Sequence, residues 1–186
     1  MNHPGQVLIA GLAVAATLAT ASCGGGSDDD SDSAFGSCEV YGKEGSISIE
    51  PVTADVLTVQ TTLPSPGWWK GTSPESIDGG YEYCLAANLA HRAGLEEVRV
   101  VNQSFDALVA GQTQDFDIAL AQVSITPERE KVVEFSEPYF DSNIGVLTAA
   151  DSGVTADNVT TKNLGVQLGT TSVDFVESTL QPDSDP

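Results

Sequence analysis

Hydrophobic and polar positions follow two different periods in the middle of the chain. Leu57 to Thr61 alternates apolar and polar side chains, which predicts a strand. Pro64, Pro66 and Gly67 then predict a loop. Apolar residues spaced by four next indicate one face of a helix that Gly94 ends. These residues are Tyr81, Leu85, Leu89 and Ala93.

The same alternation of elements continues after Gly94. Val98 to Val101 predicts a strand, residues 105–112 a short helix that ends near Asp115, and Phe116 to Ala121 another strand. Strands alternating with helices predict an α/β fold with a mostly parallel sheet. Since ligands of such sheets bind beyond the carboxyl ends of the strands, loops 62–70 and 122–129 should face one crevice.

A second unit of strand, turn and helix is predicted after residue 129. Ile144 to Thr148 and Leu164 to Leu168 are strand-like, and residues 169–172 form a turn into a helix that begins near Val173. The chain then ends at Pro186, which is a poor place for an α/β domain to end. We therefore expect a second lobe that is cut short.

The first 22 residues have the features of a signal peptide. Val7 to Ala19 carries no charge and is too short to span a bilayer, which takes about 20 residues. Ala21 and Ser22 before Cys23 resemble the lipobox of bacterial lipoproteins, in which the cysteine is lipidated. The Gly/Ser/Asp-rich start of 23–52 predicts a flexible tether. A cleaved signal peptide with an incidental cysteine is the alternative.

The composition narrows the classes of partner. A net charge of −20 argues against nucleic acid and anionic membrane surfaces. If Cys23 is lipidated, Cys38 and Cys84 remain as a pair that permits a disulfide in an oxidising compartment, without requiring one. With 2 histidines and no cysteine pair at ligand spacing, neither a metal site nor a cofactor is predicted.

Residues 126–129 carry the clearest candidate chemistry. Thr126 supplies a hydroxyl cap, Pro127 the first helical position and Glu128 an early acid, which together predict a helix start that attracts anions. The planar guanidinium of Arg129 fits a carboxylate with two parallel hydrogen bonds. A plain surface charge, or a salt bridge to Glu128 or Glu130, would explain Arg129 equally well.

Several motifs in one order resemble the family 3 extracellular solute-binding proteins, the amino-acid binders of ABC importers. They are Gly80 to Glu82 with Leu85-Ala86, Phe105 to Leu108, Phe116-Asp117, Ser124 to Arg129, Val133 to Tyr139 and Gly165 to Ser172. The resemblance implies a type II periplasmic-binding-protein-like fold that closes on its ligand by hinge bending. Residues 53–145 would form lobe 1, and residues 146–186 the hinge and an incomplete lobe 2.

The resemblance also implies roles for particular residues. Arg129 would clamp the ligand α-carboxylate, assisted by the backbone N–H of Ser124 and by Thr171 from the second lobe. Trp68 or Trp69 would pack on the ligand side chain, and we expect only one of them to face the crevice. The further ligand-binding candidates are Ala121, Gln122, Thr170 and Glu82.

The leading hypothesis is a monomeric transport receptor that captures an amino acid for an ABC permease and is held at the cell membrane by lipidated Cys23. An enzyme is an alternative, since the resemblance extends to dehydratases and to domains that accompany transglycosylases, and Glu82 would be its only acid or base. A sensor domain would need a transmembrane helix. A further alternative is a truncated receptor that binds weakly, because the acid expected to pair with the ligand's amino group falls beyond this sequence.

Overall fold

Three parallel strands form the sheet at the centre of the computed structural model, which describes residues 34–182. β1 (Val56–Thr61) lies between β2 (Glu97–Asn102) and β3 (Ile118–Ala119). Val59 of β1 stands opposite Val100 on one side and Ile118 on the other. The predicted parallel sheet is confirmed, but β3 is shorter than predicted because only two of its residues pair with β1.

Two helices connect these strands, as the sequence predicts. α1 (Tyr81–Ala93) joins β1 to β2, and Gly94 ends it with a φ of 73°, a left-handed conformation that glycine adopts without steric cost. α2 (Phe105–Val109) joins β2 to β3. Each connection starts at the carboxyl end of a strand, so the loops at that edge of the sheet converge on one region.

The face that α1 buries differs from the predicted one. Tyr81 is 47% exposed, and Leu85, Leu89 and Ala93 are only partly buried. The buried residues are Glu82, Tyr83, Ala86, Ala87 and Ala90. Small alanine side chains let the helix axis approach β1 closely, so that the larger aliphatic residues lie beside the contact, packed against its border.

The N-terminal segment packs along α1 from residue 35 to residue 47, while the Gly/Ser/Asp-rich start predicted as a tether lies outside the described residues. Phe35 and Cys38 belong to the hydrophobic core, and Cys38 forms a disulfide with Cys84 of α1. The backbone N–H of Ile47 donates to the carbonyl oxygen of Arg92 at 2.9 Å. The predicted signal peptide and Cys23 lie outside the described residues.

Asp117 connects backbone segments at the end of the sheet where the strands begin. Its carboxylate accepts hydrogen bonds from the backbone N–H groups of Val52 and Thr58, both at 2.7 Å. A carboxylate that accepts two backbone N–H groups forms stronger bonds than a neutral acceptor would. Val52, β1 and the start of β3 are therefore joined through one side chain.

Beyond residue 128 the described chain has only short helices. These are the 3₁₀ turns Arg129–Lys131 and Val159–Thr161, then α3 (Thr171–Phe175), which runs into a π-helical turn at Val176–Leu180. α3 begins two residues before the predicted Val173.

The two predicted strands 144–148 and 164–168 do not form. Leu147 is 98% exposed and Leu168 is 78% exposed. A strand needs a hydrogen-bonding neighbour, and within residues 34–182 neither run pairs with one. In the same described part of the chain, no helix is both long and apolar enough to cross a membrane.

Candidate functional site

A cavity of about 390 Å³ lies at the carboxyl ends of the strands. Both loops that the sequence predicts at a common crevice contribute to its wall, through Ser65 and Gln122. The 167–172 turn before α3 supplies another part of the wall. The residues most relevant to binding are Thr62, Phe105, Ala121, Ser124, Arg129, Thr170 and Thr171. A cavity of this size suits a small organic ligand.

Arg129 is the only charged residue in the wall of this cavity among the described residues. Its side chain is 8% exposed, with one terminal nitrogen donating to the Ser124 carbonyl oxygen at 2.6 Å and the other to that of Gly169 at 2.8 Å. The guanidinium carbon lies 5.6 Å from the centre of the Phe105 ring. Burial lowers the pKa of Arg129, and the charge of Asp174 partly offsets this shift.

These contacts exclude the two simpler explanations of Arg129. It is buried rather than a surface charge, and within the described residues it forms no ion pair with Glu128 or Glu130. Instead it joins the 122–129 loop to the turn before α3. The arginine therefore has the placement expected of an anion-binding group, while it also bridges two segments of the backbone.

The backbone conformation around Arg129 differs from the predicted helix start. The Thr126 hydroxyl accepts the N–H of Arg129 at 3.3 Å, and the Thr126 carbonyl accepts that of Glu130 at 3.0 Å. The predicted helix is a single 3₁₀ turn, Arg129–Lys131. Because so short a helix already has its first N–H groups bonded, the guanidinium is the candidate anion-binding group here.

A second cavity of about 270 Å³ adjoins the first. Trp68 and residues 135–142 form much of its wall, and Gln122 and Ser124 contribute to both cavities. The Trp68 ring meets those of Phe140 and Tyr81 edge to face, with centroid distances of 4.7 and 5.5 Å. Trp68 thus faces a cavity.

Trp69 has the opposite environment. It is fully buried, and its indole N–H donates to Glu82 at 2.7 Å. Trp69 lines neither of the two cavities. Trp68 nevertheless lines the smaller cavity and not the one that contains Arg129.

Glu82 lies beneath the site, not in it. Its side chain is fully buried, and it lines neither cavity. The carboxylate accepts from Trp69, from the backbone N–H of Gln122 at 2.8 Å, from the Gln122 side-chain amide and from the Tyr139 hydroxyl. The position of Glu82 therefore gives no support to its predicted role as a ligand contact.

Burial and the contact with Glu82 change the pKa of the Tyr139 hydroxyl. Burial, followed by the hydrogen bond to Glu82 and its negative charge, raises the pKa of Tyr139 well above the ordinary value of 10.0. Tyr139 therefore keeps its proton throughout the physiological range and remains a donor to Glu82. That hydrogen bond fixes one end of the loop that covers the smaller cavity.

Gln122 is held in an uncommon backbone conformation at the junction of the cavities. Its φ is 49°, which few residues other than glycine adopt. The side-chain nitrogen donates to Glu82, and the side-chain oxygen accepts from the Ser65 hydroxyl at 2.8 Å. Gln122 lines the larger cavity, but both ends of its amide already have protein partners.

The remaining predicted residues come together around the larger cavity. Ala121 is 5% exposed and forms part of its wall, while Thr170 and Thr171 approach from the turn that leads into α3. Ser124 contributes its carbonyl oxygen to Arg129. The ligand contacts expected of these residues stay predictions.

Sequence reasoning missed Phe105 as a site residue. The sequence predicts it only as part of a helix, although that helix starts three residues after the carboxyl end of β2, where ligands of parallel sheets bind. Thr62 was missed for the same reason, since it follows β1. Its hydroxyl is buried and has no partner among the described residues. Position relative to the strand ends was the available signal.

The chemistry of the larger cavity is that of binding. Apart from Arg129, the described wall residues are neutral, with hydroxyl, amide and apolar side chains. No group of three or more histidine, cysteine, aspartate or glutamate side chains in the described part of the chain could hold a metal ion. The arrangement can pair an anionic group with Arg129 and supply hydrogen bonds to the rest of a small ligand.

Comparison with known proteins gives a family and several relatives. The sequence profile described as "Bacterial extracellular solute-binding proteins, family 3" matches residues 72–179. The arginine-binding extracellular protein ArtP of Bacillus subtilis (strain 168) is 35% identical over 92 residues, or 48% of this chain and 36% of that protein. The L-cystine-binding protein TcyJ of Escherichia coli (strain K12) is 32% identical over 106 residues, or 55% of this chain and 40% of that protein.

A solved structure shares the fold as well. The crystal structure of a mutant of ArgBP from T. maritima is 30% identical, has a TM-score of 0.57, and covers 69% of this chain and 57% of that one. The chain spans only about two fifths of the length of the two curated relatives.

Proposed function

Since the chain belongs to family 3 of the bacterial extracellular solute-binding proteins, we propose that it captures an α-amino acid outside the cytoplasmic membrane for an ABC importer. It has the α/β fold of the type II periplasmic binding proteins. We assign residues 53–145 to lobe 1 and the segment from residue 146 to the hinge and part of lobe 2. The permease of the importer is the proposed partner, with Cys23 as the proposed lipid anchor of a monomer.

The observation that supports binding of a carboxylate is the position of Arg129. A guanidinium has five N–H donors, and the structure pairs two of its terminal nitrogens with carbonyl oxygens. Gly169, whose carbonyl oxygen accepts one of these bonds, lies in the turn that would move when the lobes close. A ligand carboxylate can replace the neutral carbonyl of Gly169, since a bond between two charged groups is stronger.

The chemistry of the ligand follows from the wall of the cavity and from the relatives. Relatives named for binding arginine and L-cystine share a ligand class, since both ligands carry an α-carboxylate and an α-ammonium group. Thr171 adds a hydroxyl-bearing side chain to the cavity wall, and Phe105 offers a flat apolar surface for a side chain. The net charge of −20 favours the approach of cations, so arginine is the first ligand to test.

Binding without chemistry is preferred over an enzyme on the same fold. An enzyme would need an acid or base beside the ligand, and Glu82 is buried beneath the cavities with both oxygens bonded. The described wall of the larger cavity holds no aspartate, glutamate or histidine. The two curated relatives reported above are themselves named as binding proteins.

Isothermal titration of the full chain with arginine and with cystine tests this proposal. Arg129→Ala should weaken binding by about 100-fold or more, because it removes two hydrogen bonds to a charged group that contribute about 1.5–3 kcal/mol each. Arg129→Lys should fall between, since an ammonium keeps the charge but loses the planar pair of donors.

Arg99→Ala is the matched control. Arg99 is an exposed arginine on β2, 3.7 Å from Glu97, so its loss changes the net charge equally without touching the cavity. It should bind as the unchanged chain does. Equal affinity in Arg129→Ala, or equal weakening in both variants, would contradict the proposed carboxylate site. Circular dichroism of each variant separates lost binding from lost folding.

A further inference from the structure

We propose that Glu82 is a positioning residue, which holds the junction of the two cavities in its binding geometry without contacting the ligand. Its carboxylate is fully buried and receives hydrogen bonds from three segments that are far apart in the sequence. They are the loop after β1, through Trp69, the loop after β3, through Gln122, and residues 135–142, through Tyr139. As an influence on affinity, this role rests on the proposed function.

The backbone at Gln122 shows what Glu82 holds in place. With a φ of 49°, Gln122 has a conformation that is uncommon for a residue with a side chain. Glu82 accepts both its backbone N–H and its side-chain amide, one at each carboxylate oxygen. Strained conformations of this kind persist where surrounding contacts over-determine them, and these two bonds supply that restraint.

The restraint continues along the chain to the ligand site. Two residues after Gln122, the carbonyl oxygen of Ser124 accepts the 2.6 Å hydrogen bond from Arg129. The direction of that carbonyl depends on the path of residues 122–124. A change at Glu82 should therefore reorient the guanidinium through the backbone, although Glu82 itself lines neither cavity.

A carboxylate suits this position better than an amide of the same shape. The indole of Trp69 and the backbone N–H of Gln122 can only donate, and they meet different oxygens of Glu82. In Glu82→Gln, one of these oxygens becomes an NH₂ group that faces a donor. The variant keeps the size of the side chain while removing at least one bond and the charge.

The test uses ¹⁵N-labelled full-length chain and compares Glu82→Gln with Asp117→Asn. Asp117 is a matched control, because it also accepts two hydrogen bonds to its carboxylate, at 2.7 Å, but at the opposite edge of the sheet. Glu82→Gln should shift the Trp69 indole resonance, the amides of residues 121–124 and the Arg129 side-chain N–H. Asp117→Asn should leave these resonances in place.

Affinity for arginine provides the second readout. We expect Glu82→Gln to weaken binding by about 10-fold or more and Asp117→Asn by less than about 2-fold, even when both lower stability. If Glu82→Gln does not fold, Tyr139→Phe removes one of the same bonds and should shift the same resonances to a smaller extent. Unchanged amides at residues 121–124, or equal weakening of binding by Glu82→Gln and Asp117→Asn, would overturn the proposal.

The two proposals fail separately. If the unchanged chain binds neither arginine nor cystine, the proposed function fails for these ligands, and the resonances alone decide the role of Glu82. If the chain binds but Glu82→Gln leaves residues 121–124 undisturbed, the proposed function stands and the positioning role is wrong.

Discussion

Breaking the Cys38–Cys84 disulfide should lower the free energy of unfolding by about 4 kcal/mol. The two cysteines lie 46 positions apart in the sequence. Joining residues at that separation removes conformational entropy from the unfolded chain, and the loop-closure relation gives about 4 kcal/mol at about 25 °C. The double variant Cys38→Ala, Cys84→Ala therefore loses a large fraction of the about 5–15 kcal/mol that stabilises an ordinary domain.

Urea unfolding followed by circular dichroism measures this loss. The oxidised chain, the chain reduced with a thiol and the double variant are compared at one pH and temperature. The reduced chain and the double variant should agree, since both lack the cross-link. Cys23→Ala is the control, because Cys23 takes no part in the bond and its substitution should leave the midpoint unchanged.

A loss below about 1 kcal/mol would refute the reasoning, because it lies well under the entropic value. It would mean that segment 34–52 stays docked in the unfolded ensemble or contributes little to the core. The backbone bond from Ile47 to Arg92 and the bond from the Tyr41 N–H to the Asn88 side chain, at 2.7 Å, would then be what holds the segment on α1.

The remaining predictions concern Tyr139 and two glycines. An unfolded tyrosine ionises near pH 10.0 while folded Tyr139 keeps its proton, so stability should fall as the pH rises above that value, and Tyr139→Phe should reduce this fall in urea unfolding at about pH 9 and pH 11. Gly80→Ala should cost more than about 2 kcal/mol in the same assay, since its Cβ would lie 2.4 Å from the Trp68 carbonyl oxygen. Gly67→Ala, with a φ of 86° but open space around it, should cost only about 1–2 kcal/mol, and equal costs for the two would contradict the steric argument.

Local patterns predicted the first half of the fold because its contacts are regular. Residues 57–61 and 98–101 have strand-like side chains, and Gly94 ends α1 with the left-handed conformation for which glycine is suited. Short connections between such elements leave few topologies open. The parallel order β2-β1-β3 followed from that alternation.

The second half could not be predicted in the same way. The sequence around Leu147 is rich in strand-forming residues, yet a strand forms only where a neighbour supplies hydrogen bonds, and that depends on residues distant in the sequence. The face of α1 was mispredicted for a related reason. Large aliphatic residues were assumed to mark the contact, whereas alanines at 86, 87 and 90 allow the closest approach.

At the site, the sequence predicted which types of residue are present better than how deeply each side chain is buried. Arg129, Ala121 and Thr171 line the larger cavity, while their predicted ligand contacts stay predictions. Glu82 precedes them in a motif that also suits a ligand contact, and nothing local shows that its carboxylate turns inward toward Trp69. Phe105 was overlooked because an aromatic at the start of a helix is more often part of a core.

The two ends of the parallel sheet, where the strands begin and where they end, hold different kinds of residue. Where the strands begin, Asp117 binds the backbone of Val52 and Thr58, and none of these three residues lines either cavity of the described chain. Where they end, Gln122 and Arg129 form the site. Substitutions in the cavity walls can therefore change the shape and chemistry of the crevice while the Asp117 contacts at the opposite end of the strands stay intact.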